Sequence, residues 1–134
     1  MKQFGPHLMI DASKCNQETL RDQDLVRRVL RELPEQLGMT IIYPPTVVEW
    51  TDKWATVPGY SGFVMIAESH ISIHTFPDND YVFMDIFSCR PFDIETAKKY
   101  LLAAFDAKQA TVSLAKRGQG FVKSPHQIAS AAMR

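Results

Sequence analysis

The chain has 134 residues, 46% of them hydrophobic, with 15 basic side chains balancing 15 acidic ones. That length and an unbroken composition predict one domain, 1–134, whose single core is modest enough that self-association would be a natural supplement. The zero formal charge excludes the electrostatic footprint of a DNA-, RNA- or anionic-membrane-binding protein and directs attention to a small-molecule partner.

Along the chain, the apolar patch Leu8 to Ile10 is too brief for a secretory signal or a membrane span. Cys15 and Cys89 make no disulfide framework, so free thiols and a cytoplasmic setting are expected. His7 to Ala12 reads as a strand. Asn16 to Leu37 reads as a helix, with Leu25, Val26, Val29, Leu30, Leu33 and Leu37 on one face and Gly38 as its stop. Pro34 removes a backbone donor and predicts a kinked or loosened last turn. Thr40 to Tyr43 reads as a strand broken by Pro44-Pro45, and the stretch onward to Gly59, with Trp50, Trp54 and Pro58, as a loop lining something.

Gly62 to Ala67, Ile71 to Phe76 and Tyr81 to Ser88 are rich in Val, Ile and Phe and predict consecutive antiparallel strands, the last two joined by the turn Pro77-Asp78-Asn79-Asp80. Asp93 caps a second helix, Ile94 to Phe105, and Ala110 to Leu114 returns as a final strand. The segment Lys116 to Arg134 has weak periodicity and is expected to wrap the surface or end in disorder. This order implies an α+β fold: one antiparallel sheet with both helices on one face, whose other face must find cover.

Glu68-Ser69-His70-Ile71-Ser72-Ile73-His74-Thr75-Phe76-Pro77, followed by Phe87-Ser88-Cys89, places a hydroxyl, an imidazole and a thiol in one β-rich stretch. Taken singly, these residues have ordinary readings. His70 and His74 suit a half-exposed strand, Cys89 and Cys15 read as small buried hydrophobes, and Ser61-Gly62 reads as a turn into a strand. Tyr43, Trp50, Trp54 and Phe76 read as anchoring aromatics. No metal is expected, because neither a carboxylate nor a cysteine stands at a zinc-like spacing from the histidines.

Together, however, the Glu-Ser-His-x-x-x-His-Thr-x-Pro run, Phe-Ser-Cys, Ser61-Gly62 and the N-terminal His7-Leu8, Asp11 and Cys15 resemble the prokaryotic S-adenosylmethionine decarboxylase proenzyme family. The resemblance runs from Gly5 to the Ser-Pro-His near the end. It implies self-cleavage at the Glu68-Ser69 bond into a β chain, 1–68, and an α chain, 69–134. Ser69 would be the cleavage nucleophile and the precursor of a covalent pyruvoyl group that forms a Schiff base with the substrate. His74 would be the proton acceptor in processing, with Ser61 assisting, and Cys89 the proton donor in decarboxylation. Glu68, as the new β-chain end, and Asp11 would contact the substrate. The resemblance further implies a two-layer protomer paired into a four-layer αββα homodimer with active sites near the interface.

The chemistry suits the residue types. A peptide bond is inert and must become an ester before elimination can release the chain, a hydroxyl can make that ester, and an imidazole exchanges protons near neutrality. The implied substrate is S-adenosylmethionine, whose decarboxylation yields the aminopropyl donor for spermidine synthesis, and its sulfonium would favour aromatic walls such as Trp54. The chain departs from the family pattern at Phe76 (usually Trp), Arg90 (usually Gly), Ala12 (usually aromatic) and the segment Pro44 to Tyr60, where relatives carry an adenine-stacking ring. A pyruvoyl-dependent arginine or ornithine decarboxylase is therefore the alternative, its cationic substrate tail pairing with Glu49, Asp52 or Asp85. An inactive regulatory homologue is a third reading, against which the intact Ser69, His74 and Cys89 weigh.

Overall fold

The computed structural model describes residues 4–125, and the part of the expected tail beyond them, His126 included, lies outside the described residues. Six strands form one antiparallel sheet: β1 (Gly5–Ser13), β2 (Ile41–Trp50), β3 (Gly59–Ile66), β4 (Ser69–Phe76), β5 (Tyr81–Ser88) and β6 (Gln109–Arg117). Their order is β2-β3-β4-β5-β1-β6. The expected run of strands is thus present, extended by a few residues, with β2 to β5 as a meander and β1 between β5 and β6.

The helices are α1 (Gln17–Leu20), α2 (Gln23–Gln36) and α3 (Ile94–Ala104). The single helix expected over Asn16 to Leu37 is two, because Asp22 takes extended backbone and its carboxylate caps Leu25 N–H, while Asn16 caps α1 through Glu18 N–H and Thr19 N–H. Pro34 sits in the last turn of α2 without ending it. The helix stops instead at Gly38, whose φ of 69° is the left-handed conformation a helix terminus needs. Asp93 caps α3 through Thr96 N–H, as the sequence indicates.

The core lies between the helices and one sheet face. Leu25, Val26, Val29, Leu30 and Leu33 of α2 and Ala97 and Leu101 of α3 meet Leu8, Ile10, Val64, Ile71, Ile73, Val82, Met84 and Ile86 from alternate strand positions. Gly62 is mid-strand rather than a turn into one. A Cβ there would come within 2.9 Å of Leu30 Cδ1 and 3.2 Å of Val26 Cγ1, so its missing side chain lets α2 lie on the sheet.

The second strand also departs from its expected bounds. Pro44-Pro45 does not end the second strand, which continues to Trp50 through two register shifts between Ile41 and Thr46. As the sheet edge, β2 has one side free of ladder bonds, so prolines are tolerated there. The opposite face of the sheet carries Phe63, Met65 and Phe83, each more than 40% exposed, among His70, Ser72, His74, Asp11 and Asp85. No helix covers it.

Candidate active site

The Glu68-Ser69 bond lies in a tight hairpin. Ile66 pairs with Ser69, leaving Ala67 and Glu68 as a two-residue connection between β3 and β4. Two-residue loops that match strand twist need positive φ at a central residue, yet neither Ala67 nor Glu68 has it. The positive φ falls on Ser69, at 156°, a region sparsely populated by residues with a side chain. Backbone strain is therefore stored at the residue that follows the expected cleavage point.

Glu68 is fixed at both ends. Its carbonyl accepts from Cys89 N–H at 2.9 Å, and its carboxylate, only 3% exposed, accepts from Thr40 N–H at 3.2 Å and pairs with the guanidinium of buried Arg90. Cys89 follows Ser88, which pairs directly with Ser69, so the thiol residue is carried to the scissile bond by the β4–β5 register. Its own carbonyl accepts from the buried Lys123 ammonium. Cys89 borders a mainly apolar cavity of about 250 Å³ with Phe4, Pro6, Phe92, Leu114 and Lys123. The other cysteine, Cys15, is a buried core residue. Burial first, then the Asp80 and Asp106 carboxylates, push its thiol up to about 11, which suppresses the reactive thiolate.

Ser61 and His74 pair directly across β3 and β4, with Ser61 Oγ and His74 Nδ1 2.9 Å apart, on the open sheet face. Phe83 stands opposite His74 on β5, and Asp11 opposite Phe83 on β1. His74, Phe83 and Asp11 line an open basin of about 400 Å³ with Ser72 and Asp85. An aromatic path leads away from it: Phe83 to Phe76 at 5.6 Å and Phe76 to Trp50 at 5.3 Å. Trp50, Trp54, Phe76 and Asp78 then border a second cavity of about 320 Å³. Trp54 itself is 80% exposed.

The sequence-indicated residues thus form two groups. Glu68, Ser69 and Cys89 meet at one end of the sheet, whereas Ser61, His74 and Asp11 lie elsewhere on its open face. His74 is five positions along β4 from Ser69, roughly 16 Å of extended strand, so the two side chains do not meet within one chain.

Between the groups lies a network that sequence reading did not find. Asp85 accepts from His7 Nε2 at 2.6 Å, His70 Nε2 at 3.2 Å and the Ser72 hydroxyl. Arg117 approaches His7 Nδ1 at 3.4 Å and stacks on Phe87, which fits an Nε2–H tautomer for His7. Burial pushes the Asp85 pKa up, but the hydrogen bonds from Ser72 and His7 and the proximity of His70 outweigh it, and the carboxyl sits below its ordinary 3.8. His7, His70 and Asp85 place their donor atoms within 4.8 Å of one another and are the described residues that could surround a cation. They come from three strands, which is why no sequence spacing revealed them. Glu68's partner Arg90 was likewise missed as a site residue.

The other candidate carboxylates are engaged as well. Glu49 accepts from Tyr60 Oη at 3.1 Å, and Asp52 accepts from Trp54 N–H and Ala55 N–H at 2.8 and 2.9 Å. Among the described residues, no helix is long and apolar enough to cross a membrane.

Comparison with known proteins gives a consistent result. The sequence profile of the S-adenosylmethionine decarboxylase family matches residues 6–118. An S-adenosylmethionine decarboxylase proenzyme of Thermodesulfovibrio yellowstonii is 33% identical over 132 residues, covering 96% of this chain and 93% of the relative. One from Pyrococcus furiosus is 34% identical over 88% of this chain and 81% of its own, and one from Clostridium botulinum 36% identical over 89% and 98%. The crystal structure of the adenosylmethionine decarboxylase from Aquifex aeolicus superposes with a TM-score of 0.73 over 92% of this chain and 98% of that one, at 23% identity, a likeness of fold.

Proposed function

Because the chain belongs to the S-adenosylmethionine decarboxylase family, we propose that it is a self-processing, pyruvoyl-dependent enzyme that decarboxylates S-adenosylmethionine and supplies the aminopropyl donor for spermidine synthesis. The observation that carries this reading is the Glu68-Ser69 junction, a strained hairpin bond whose carbonyl already rests on a backbone N–H beside a cysteine. These are the features a serine-derived carbonyl group needs for its formation, so the residues fit the group.

In processing, Ser69 Oγ attacks the Glu68 carbonyl carbon, the C–N bond breaks, and an ester joins the two halves. Cys89 N–H is placed to stabilise charge developing on the carbonyl oxygen, and departure from the strained Ser69 conformation favours the step. Removal of the Ser69 α-proton then breaks the Cβ–O bond. Glu68 leaves as a carboxylate ending the β chain, 1–68, and water displaces the nitrogen of the remaining dehydroalanine as ammonia, leaving the α chain, 69–134, with a pyruvoyl end. Once formed, that group supplies a ketone that draws off the electrons released as carbon dioxide departs. Cys89 returns a proton to the substrate α-carbon. The new Glu68 carboxylate and Asp11 hold the substrate, and the exposed Trp54 offers it an aromatic wall.

The base in processing is His74, and the geometry supports its acting across a dimer. Roughly 16 Å of strand separates it from Ser69 of its own chain, whereas a second copy docked on the apolar open face can offer His74 and Ser61 of the partner subunit to Ser69. Phe63, Met65 and Phe83 give that face the character of an interface. A two-fold pairing yields a four-layer αββα homodimer with two shared sites. The setting we infer is the cytoplasm. The amino-acid alternative finds no support: the relatives named above are S-adenosylmethionine decarboxylases, and Glu49, Asp52 and Asp85 already have partners.

The test is carbon dioxide release by the purified protein from S-adenosylmethionine, arginine and ornithine, with Ser69→Ala beside it. Turnover of S-adenosylmethionine by the wild type and an uncut, inactive Ser69→Ala chain are expected. Preference for arginine or ornithine, or cleavage of Ser69→Ala, would refute the assignment.

A further inference from the structure

Arg90 and Glu68 form an ion pair with 6% and 3% exposure, directly beside the bond expected to break. Burying two charges is weak evidence for stability, since an apolar pair of similar volume often does as well. The position of the pair suggests a different use. Glu68 is the second residue of the two-residue hairpin, and each end of it is gripped by the same short segment: Cys89 N–H holds its carbonyl and Arg90 holds its carboxylate. Arg90 is itself locked, because Ser88 Oγ accepts from Arg90 N–H at 3.0 Å and donates to the Arg90 carbonyl at 2.8 Å.

We propose that Arg90 is a positioning residue for self-cleavage: by tethering the Glu68 side chain it fixes the Glu68-Ser69 peptide with its carbonyl on Cys89 N–H and the backbone strain on Ser69. The inference rests on the processing reaction proposed above. Its physical basis is that the hairpin would relax if Glu68 rotated to take the positive φ itself, moving strain off Ser69 and the carbonyl off Cys89. That rotation would draw the carboxylate away from the guanidinium, leaving one buried charge unpaired, so the ion pair opposes it.

Arg90→Met alone strands the Glu68 charge and invites unfolding. The informative variant is therefore Arg90→Met combined with Glu68→Gln, which removes both charges and leaves the scissile carbonyl and Ser69 in place, with Arg90→Lys as a second, charge-preserving variant. We expect the double variant to melt cooperatively but to split into two fragments at least about tenfold more slowly than the wild type, with Arg90→Lys recovering part of the rate. Hydroxylamine distinguishes positioning from later chemistry because it cleaves an ester and spares the amide. The slowed variant should remain resistant, showing that the attack itself is impaired. Cleavage of the double variant at the wild-type rate, or accumulation of a hydroxylamine-sensitive ester in it, would overturn the proposal. A wild type that never splits at Glu68-Ser69 would instead overturn the processing reading, and this inference with it.

Discussion

Gly5 begins β1 where the chain passes the end of β5, and adding a single methyl group there tests the site's construction. A Cβ at this position would lie 2.9 Å from both Cα and the carbonyl carbon of Cys89 and would overlap the Ser88 carbonyl oxygen. These are backbone atoms and cannot rotate aside. Restoring ordinary separations of about 3.5 Å requires the Ser88-Cys89 segment to retreat by on the order of 1 Å. That segment carries both the thiol and the N–H on the Glu68 carbonyl, so Gly5→Ala should act twice. Overpacking costs about 1–3 kcal/mol, which at mid-range lowers Tm by roughly 5–10 °C for a chain of this size. A displacement of that size at the reacting groups slows processing by up to about 100-fold. Thermal melting followed by circular dichroism and a gel time course of fragment appearance measure the two effects separately. A variant that melts within a degree of the wild type and splits at the same rate would refute the close approach of β1 to Cys89.

Two further perturbations probe the open face. His74→Ala should stall after the acyl shift and accumulate a hydroxylamine-sensitive ester, and co-expression with Ser69→Ala should restore processing of the His74→Ala chain, because a mixed dimer holds one complete site. Failure of the mixture to process, in a protein shown to be dimeric, would argue against a shared site. Asp85 has a lowered folded-state pKa, so its contribution to stability is present above the ordinary 3.8 and is lost as pH falls through the lowered folded value. Asp85→Asn should therefore flatten the fall of Tm with acidification below about pH 4, and an acid limb as steep as the wild type's would contradict the assigned network.

Local signals in this chain were legible where one element carried them. The alternation of Val, Ile and Phe gave β3 to β5, Asp93 and Gly38 marked helix ends, and the Glu-Ser and Phe-Ser-Cys patterns pointed to residues that the β4–β5 register brings together at one hairpin. What was not legible depended on neighbours in space. Asp22 falls inside the run that reads as one long helix, and its extended backbone, which caps α2, depends on the packing around it. Pro44-Pro45 looked like a strand break because edge position is a property of the sheet, not of the segment. Ser69 and His74 look adjacent in sequence yet are held apart by the extended strand joining them, and Arg90 gains its meaning from a hairpin more than twenty residues earlier. The Asp85 network draws one side chain each from β1 and β5 and two from β4, a register no spacing encodes.

Self-cleavage at Glu68-Ser69 is a single covalent event, and intact-mass spectrometry of the purified protein observes it directly. Cleavage should yield two chains, residues 1–68 and 69–134, the second lacking a free amine at its first residue because Ser69 has become a carbonyl group. A protein that remains one 134-residue chain with Ser69 intact, or that breaks at another bond, would contradict it.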